Sequence, residues 1–68
     1  MTIGVTVNGQ PRDVPPGTTL SQLVTAVTEL ASGVAAAVNG EIVPRRAWDT
    51  RPVQDGDRVE VVTAVQGG

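Results

Sequence analysis

Residues 34–43, VAAAVNGEIV, decide the fold, because they can be interpreted either as part of a helix or as two strands joined by a turn. Alanine favours helices, but this alanine-rich run is short and leads directly into Asn39-Gly40. An Asn-Gly pair between apolar runs is typical of a two-residue hairpin turn, in which both residues take positive φ. The sequence therefore predicts a strand, a turn and a second strand that ends at Pro44.

A similar hairpin is predicted at the start of the chain. In residues 2–14, TIGVTVNGQPRDV, apolar side chains alternate with small or polar ones before a second Asn-Gly pair, at Asn8-Gly9. Pro11 lacks an N–H group, which places the returning strand at an edge of the sheet. A Pro-Gly turn at residues 16–17 then ends the hairpin.

A helix is predicted between the two hairpins. Thr19 is a candidate N-cap, and Gln22, three positions later, completes a capping box. Apolar residues at helical spacing then form one stripe. Ser32-Gly33 is the predicted end of the helix, because glycine readily takes the left-handed conformation of a helix stop. The stripe consists of Leu20, Leu23, Val24, Val27 and Leu30.

The remaining residues complete an α+β pattern. Residues 45–54, RRAWDTRPVQ, are interpreted as an irregular connection, followed by a turn at 55–57 and a last strand, RVEVVTAV, at 58–65. One amphipathic helix can cover one face of the sheet, so the order predicts a two-layer α+β domain. In a chain of 68 residues we expect a β-grasp fold, with four to five strands packed on one helix. The domain is predicted over residues 1–65, with a flexible tail at 66–68.

Composition excludes several classes of function. The chain has no cysteine and no histidine, so thiol catalysis, cysteine–metal sites and a histidine base are excluded. A net charge of −2 and five arginines without a long basic run argue against nucleic-acid binding. No apolar segment approaches the roughly 20 residues of a membrane span, and no secretion signal follows Met1. We expect a cytoplasmic protein that is not an enzyme, contacts no membrane and binds no metal or cofactor itself.

The last predicted strand has two different faces. Val59 and Val61 share the face expected to pack on the helix, whereas Glu60 marks the opposite face as solvent-exposed. Apolar residues on that outer face, together with alanines of the neighbouring strand, would form a smooth patch beside the tail. Because singly exposed apolar residues are ordinary, the patch is either incidental or a partner-binding surface. The patch consists of Val62, Ala64, Ala35 and Ala37.

Two arginines and the one aromatic residue also need an interpretation. Arg45 and Arg46 either steer the chain towards an acidic partner surface or are simply solvated. Trp48 is the only aromatic residue, and its size predicts that it covers one end of a small core.

The sequence ends in Gly67-Gly68, directly after the last predicted strand. Glycine loses more conformational freedom on ordering than other residues, so the pair adds little to a fold. Without Cβ atoms, however, such a tail can enter a narrow channel, and residues 65–68 would reach about 14 Å when extended. We expect the α-carboxylate of Gly68 to be the reactive group. Since a carboxylate is a poor electrophile, another protein must activate it, for example as an acyl-adenylate.

Together these features resemble the ThiS-type sulfur carrier proteins of thiamine biosynthesis. The resemblance covers essentially the whole chain and is carried by VNGEIVPRRAW (38–48), DGD (55–57) and the terminal Gly-Gly. It implies a ubiquitin-like β-grasp fold whose first and last strands are adjacent and parallel, which makes the sheet mixed.

The resemblance also implies a reaction and its partners. A ubiquitin-activating-type enzyme would use ATP and magnesium to adenylate Gly68, with Gly67 preceding it in the active-site channel. Sulfur from cysteine, delivered through a cysteine desulfurase, would then convert the carboxylate to a thiocarboxylate. Thiazole synthase would take this sulfur to build the thiazole ring of thiamine.

Three alternatives remain open at the level of sequence. The chain could be a small sulfur-carrying subunit of molybdopterin synthase, although such chains tend to be longer and richer in aromatic residues. It could be a ubiquitin-like modifier of other proteins, although it has no lysine through which to form chains on itself. It could also be an interaction domain whose Gly-Gly ending is incidental.

Overall fold

The computed structural model describes residues 1–28 and 33–63 of the chain. Several predicted features lie outside these described residues. They are Leu30 of the helical stripe, Ser32 of the predicted helix end, Ala64 of the patch, Val65 at the predicted end of the last strand, and Gln66, Gly67 and Gly68 of the tail.

The described residues form a five-stranded sheet with one α-helix and one short 3-10 helix. The sheet order is β2-β1-β5-β3-β4. β1 and β5 are parallel neighbours, whereas the other pairs are antiparallel, so the sheet is mixed. This is the predicted two-layer β-grasp arrangement. The elements are β1 (Ile3–Val7), β2 (Gln10–Val14), α1 (Leu20–Val27), β3 (Val34–Val38), β4 (Glu41–Val43), the 3-10 helix (Arg45–Thr50) and β5 (Arg58–Thr63).

Both predicted Asn-Gly turns are confirmed. Asn8 and Gly9 have φ values of 52° and 83°, and Asn39 and Gly40 have values of 53° and 86°. Positive φ at both central residues is the type I′ geometry, whose twist matches that of the two strands it joins. Pro11 lies in β2, an edge strand as predicted.

The start of α1 is confirmed and its predicted end is wrong. The Thr19 hydroxyl accepts the Gln22 N–H at 3.2 Å, and the Gln22 side chain accepts the Thr19 N–H at 2.9 Å. The helix ends at Val27, where Thr28 is already extended, with φ −147° and ψ 146°. β-Branched residues are frequent in its second half, and they lower helix propensity. Gly33 does have a left-handed φ of 73°, but it leads into β3 instead of capping α1.

Residues 45–50 form a 3-10 helix, so the prediction of an irregular connection there is wrong. The helix starts after Pro44, whose carbonyl accepts the Ala47 N–H at 2.8 Å. Trp48 is only 5% exposed, and its indole N–H donates to the Val43 carbonyl at 2.9 Å. The predicted core role of Trp48 is therefore confirmed, and its burial explains why this segment is ordered.

The core lies between α1, the 3-10 helix and the inner face of the sheet. Its most deeply buried side chains come from α1 and from the paired strands β3 and β5, namely Leu20, Leu23, Val38 and Val59. The opposite face of the sheet has no helix against it among the described residues. That outer face is the surface on which the predicted patch was placed.

Candidate functional site

Three residues of the predicted patch lie together on the outer face of the sheet. Val62 of β5 is paired with Ala35 of β3, and one step along the sheet Ala37 lies between Glu60 of β5 and Ile42 of β4. Val62 is 62% exposed, and Ala35 is exposed as well. The outward direction predicted for Val62, Ala35 and Ala37 is thus the one that the structure shows. Whether they bind a partner stays a prediction.

Ile42 belongs to the same surface, although the patch predicted from the sequence does not include it. Its side chain is 78% exposed, and it lines a shallow apolar depression of about 120 Å³ with Ala37 and Val62. The strict alternation of a strand contained the signal: Val43 is buried, so its neighbour Ile42 must face outwards. We call the surface formed by Val62, Ala35, Ala37 and Ile42 the apolar face.

Arg45 borders the apolar face, whereas Arg46 is separate from it. Arg45 lines an open hollow with Ala35 and Val62. Its guanidinium carbon lies 5.4 Å from the centroid of the Trp48 ring, within the range of a cation–π contact. Arg46 is exposed on the same 3-10 helix, but it lines neither this hollow nor the depression near Ile42. Of the two predicted arginines, the structure therefore joins only Arg45 to the apolar face.

The apolar face carries opposite charges on its two flanks. Glu60 lies beside Ala37 in the sheet register, and Arg45 lies at the other flank beside Ala35. A complementary partner surface would be apolar at its centre, with a basic group opposite Glu60 and an acidic group opposite Arg45.

The apolar face adjoins the last described residue of β5. Val62 is followed by Thr63, the last described residue, which pairs with Val34 of β3. The five residues from 64 to 68 can span at most about 18 Å when extended. A partner that contacts Val62 is therefore close enough to receive the end of the chain. Gly67 and Gly68 themselves lie outside the described residues.

The two aspartates of the DGD turn have structural roles. Asp55 accepts the Gly4 N–H of β1 at 2.8 Å, and Asp57 accepts the Gln54 N–H at 2.8 Å. In residues 1–28 and 33–63, no group of three or more His, Cys, Asp or Glu residues is placed to hold a metal ion. The same residues contain no helix long and apolar enough to span a membrane.

Comparison with known proteins agrees with the fold. The ThiS family model matches residues 5–68. The chain belongs to the ThiS family. It is 34% identical over 61 residues to the sulfur carrier protein ThiS of Escherichia coli, covering 90% of this chain and 92% of that protein. It is 39% identical over 64 residues to the sulfur carrier protein ThiS of Thermus thermophilus, covering 94% and 98%.

A solved structure of a ThiS protein has the same fold. The crystal structure of the thiamine biosynthesis protein ThiS from Geobacter metallireducens superposes with a TM-score of 0.82 at 35% identity, covering 97% of this chain and all of that one. The ubiquitin-like β-grasp fold and the ThiS resemblance expected from the sequence are thereby confirmed. The family places the chain among sulfur carrier proteins, which work with partner enzymes.

Proposed function

We propose that this ThiS-family chain carries sulfur as a thiocarboxylate on the terminal carboxyl group of Gly68. A Gly68 carboxylate oxygen attacks the α-phosphorus of ATP and displaces pyrophosphate, which gives an acyl-adenylate. The terminal sulfur of a persulfide, supplied from cysteine through a cysteine desulfurase, then attacks the activated carbonyl carbon, and AMP leaves. A thiol such as free cysteine cleaves the resulting acyl disulfide, which leaves the thiocarboxylate on Gly68 and a disulfide between the other two sulfur atoms. The observation that carries the proposal is that the family match runs through Gly68.

The residue types present in the chain support a carrier on which other proteins act. The sequence contains no cysteine or histidine to serve as a nucleophile or neutral-pH base. The catalytic groups, the ATP and the magnesium ion therefore belong to a ubiquitin-activating-type adenylating enzyme. The terminal Gly-Gly suits that partner, because two residues without Cβ atoms pass through a narrow active-site channel.

The apolar face supports docking beside the reactive end. Val62 and Ile42 are the two largest exposed aliphatic side chains of the described sheet. Only five residues separate Val62 from Gly68, so a partner docked on Val62 can also reach Gly68. We infer that the adenylating enzyme covers this face with an apolar surface and places an acidic group near Arg45. Thiazole synthase, the acceptor of the sulfur, would use the same end of the molecule for access to the thiocarboxylate.

The destination of the sulfur is proposed from the relatives. The Geobacter metallireducens protein of the same fold is described as a thiamine biosynthesis protein. We therefore place the carried sulfur in the thiazole ring of thiamine.

Intact-mass measurement tests the carrier role directly. The chain is incubated with ATP, magnesium, the adenylating enzyme of its source organism, a cysteine desulfurase and cysteine. We expect a mass gain equal to replacing one oxygen atom by one sulfur atom, located on Gly68 by fragmentation. An unchanged mass alongside turnover of ATP would contradict sulfur loading. Deletion of the gene should cause thiamine auxotrophy, and growth without thiamine would contradict the proposed destination.

A further inference from the structure

The side chain of Asn8 binds the backbone of the last strand. Its Oδ1 accepts the Val61 N–H at 2.9 Å, and its Nδ2 donates to the Val61 carbonyl at 3.1 Å. The backbone N–H of Asn8 donates to the Val59 carbonyl at 2.9 Å. The carboxamide thus offers β5 one donor and one acceptor, which is what a peptide unit of a neighbouring strand would offer.

This contact lies just beyond the point where the pairing of β1 with β5 ends. The parallel register between the two strands covers Thr6 opposite Arg58 and Val7 opposite Val59. At Asn8 the chain turns away into β2. Val61 is only 9% exposed, so leaving its two backbone groups without partners would be unfavourable. The Asn8 carboxamide satisfies both of them.

We propose that Asn8 is a positioning residue for the sulfur-carrying tail. Its carboxamide extends the β1 side of the sheet by one peptide unit and so orders β5 as far as Val62 and Thr63. This inference rests on the proposed function, since what it positions is the docking residue Val62 and the start of the tail. The turn alone does not require asparagine, because glycine takes the same positive φ without strain.

Asn39 provides a matched comparison within the same molecule. It occupies the same position of the other Asn-Gly turn, with nearly the same φ. Its Oδ1 accepts the Arg58 N–H at 2.9 Å, and its Nδ2 donates to Asp57 at 3.1 Å. Asn39 therefore binds Arg58, the first residue of β5. Asn8 instead binds Val61, two residues before Thr63, where the described strand ends.

Hydrogen exchange in the isolated protein tests the ordering. In Asn8→Gly we expect the amides of Val61, Val62 and Thr63 to exchange about five- to tenfold faster than in the wild type, because two hydrogen bonds are lost there. The Arg58 amide should exchange faster only in Asn39→Gly. Unchanged exchange at residues 61–63 in Asn8→Gly, or an equal increase throughout β5, would overturn the inference. If Asn8→Gly does not fold, Asn8→Asp replaces it: the Oδ1 acceptor stays, but a carboxylate oxygen then faces the Val61 carbonyl, so faster exchange confined to residues 61–63 is again expected, and unchanged exchange there would overturn the inference.

Adenylation kinetics test the consequence for function. At a temperature where all variants are folded by circular dichroism, Asn8→Gly should raise the KM of the adenylating enzyme for the carrier by less than the five- to tenfold change in exchange, because β5 stays ordered in part of the population. The kcat should stay the same, because only the fraction of docking-competent carrier falls. Asn39→Gly should keep the wild-type KM. Equal KM changes in both variants would refute a positioning role. A wild-type chain that is not adenylated would refute the proposed function, while the exchange result would still decide the ordering by Asn8.

Discussion

Val62 is the residue through which the apolar face and the tail are most directly connected. Its side chain is largely exposed, and it lines both the depression near Ile42 and the open hollow beside Arg45. In Val62→Lys we expect the affinity for the adenylating enzyme to fall about tenfold or more, since a central apolar contact is replaced by a charge that must be desolvated. Isothermal titration calorimetry measures this change.

The fold should tolerate the Val62→Lys substitution. An exposed strand position away from the core changes stability by about 0.5 kcal/mol or less. Thr25→Lys, on the exposed side of α1, is a control that adds the same charge away from the apolar face. Wild-type affinity in Val62→Lys, or an equal loss in Thr25→Lys, would remove the apolar face from the docking proposal.

Arg45 and Arg46 are adjacent, exposed and equally charged, but it is Arg45 that makes the cation–π contact with Trp48 and lines the hollow beside the apolar face. Arg45→Ala should lower the association rate with the adenylating enzyme and weaken its dependence on salt, because a charge facing the partner is lost. It should also cost about 0.5–1 kcal/mol of stability through the lost cation–π contact. Arg46→Ala should change both quantities less. Stopped-flow association at two salt concentrations distinguishes the two arginines, and identical behaviour would contradict the assignment of Arg45 to the docking site.

The stability of α1 depends strongly on its N-terminal cap. The helix has only eight residues, and helices this short are marginal without tertiary contacts and caps. Thr19→Ala removes the hydroxyl that accepts the Gln22 N–H and should destabilise the protein by about 1 kcal/mol. In a domain of this size that corresponds to a fall in Tm of about 4–8 °C.

Thr25→Ala is the matched control for the capping prediction. Thr25 is an exposed residue inside α1, where alanine has the higher helix propensity. Its Tm should therefore stay the same or rise slightly. A Tm in Thr19→Ala equal to that of Thr25→Ala, measured by circular dichroism, would show that the cap contributes little.

Local sequence signals were sufficient for most of the elements. The Asn-Gly pairs at Asn8 and Asn39 were enough to predict their turns, because a type I′ turn depends on two neighbouring residues that both take positive φ. The end of α1 was predicted wrongly, because Gly33 takes the left-handed conformation of a helix stop but does so at the entrance to β3. The 3-10 helix was missed because it depends on the burial of Trp48 and on its bond to Val43, and these are properties of the finished core.

The candidate site was only partly predictable for a similar reason. Alternation along β5 was enough to place Val62 outwards, and the same rule applied to β4 would have found Ile42. The Asn8 carboxamide contact could not be predicted, because Asn8 and Val61 are 53 residues apart and no local pattern relates them. Only the parallel pairing of β1 with β5 brings them together.

In the molecule as a whole, β5 connects stability with function. It lies at the centre of the sheet, between β1 and β3, and its inner side chains Val59 and Val61 belong to the core. Its outer side chain Val62 belongs to the apolar face, and its last described residue, Thr63, leads towards the tail. Because β5 is paired on both sides, it fixes the position of Thr63 relative to the docking residue Val62.

Removal of Gly67 and Gly68 should therefore separate folding from function. In residues 1–28 and 33–63, the buried core side chains all precede position 62, so the truncated chain should keep the wild-type Tm and the same hydrogen exchange in β5. It should still bind the adenylating enzyme through the apolar face, because Val62 and Ile42 remain. Sulfur loading, followed by intact mass, should be lost completely, since the new terminal residue bears a Cβ atom and ends two residues short of the active site.

Gly67→Ala completes this test, because it keeps the length and the terminal carboxyl group and adds one methyl group. If a narrow channel is the reason for the two glycines, this variant should bind normally and load sulfur slowly, with the loss in kcat and not in KM. Full loading of Gly67→Ala would mean that length alone matters. Sulfur loading of the truncated chain would mean that the reactive group lies elsewhere, and a lowered Tm in that chain would mean that the tail is part of the folded body.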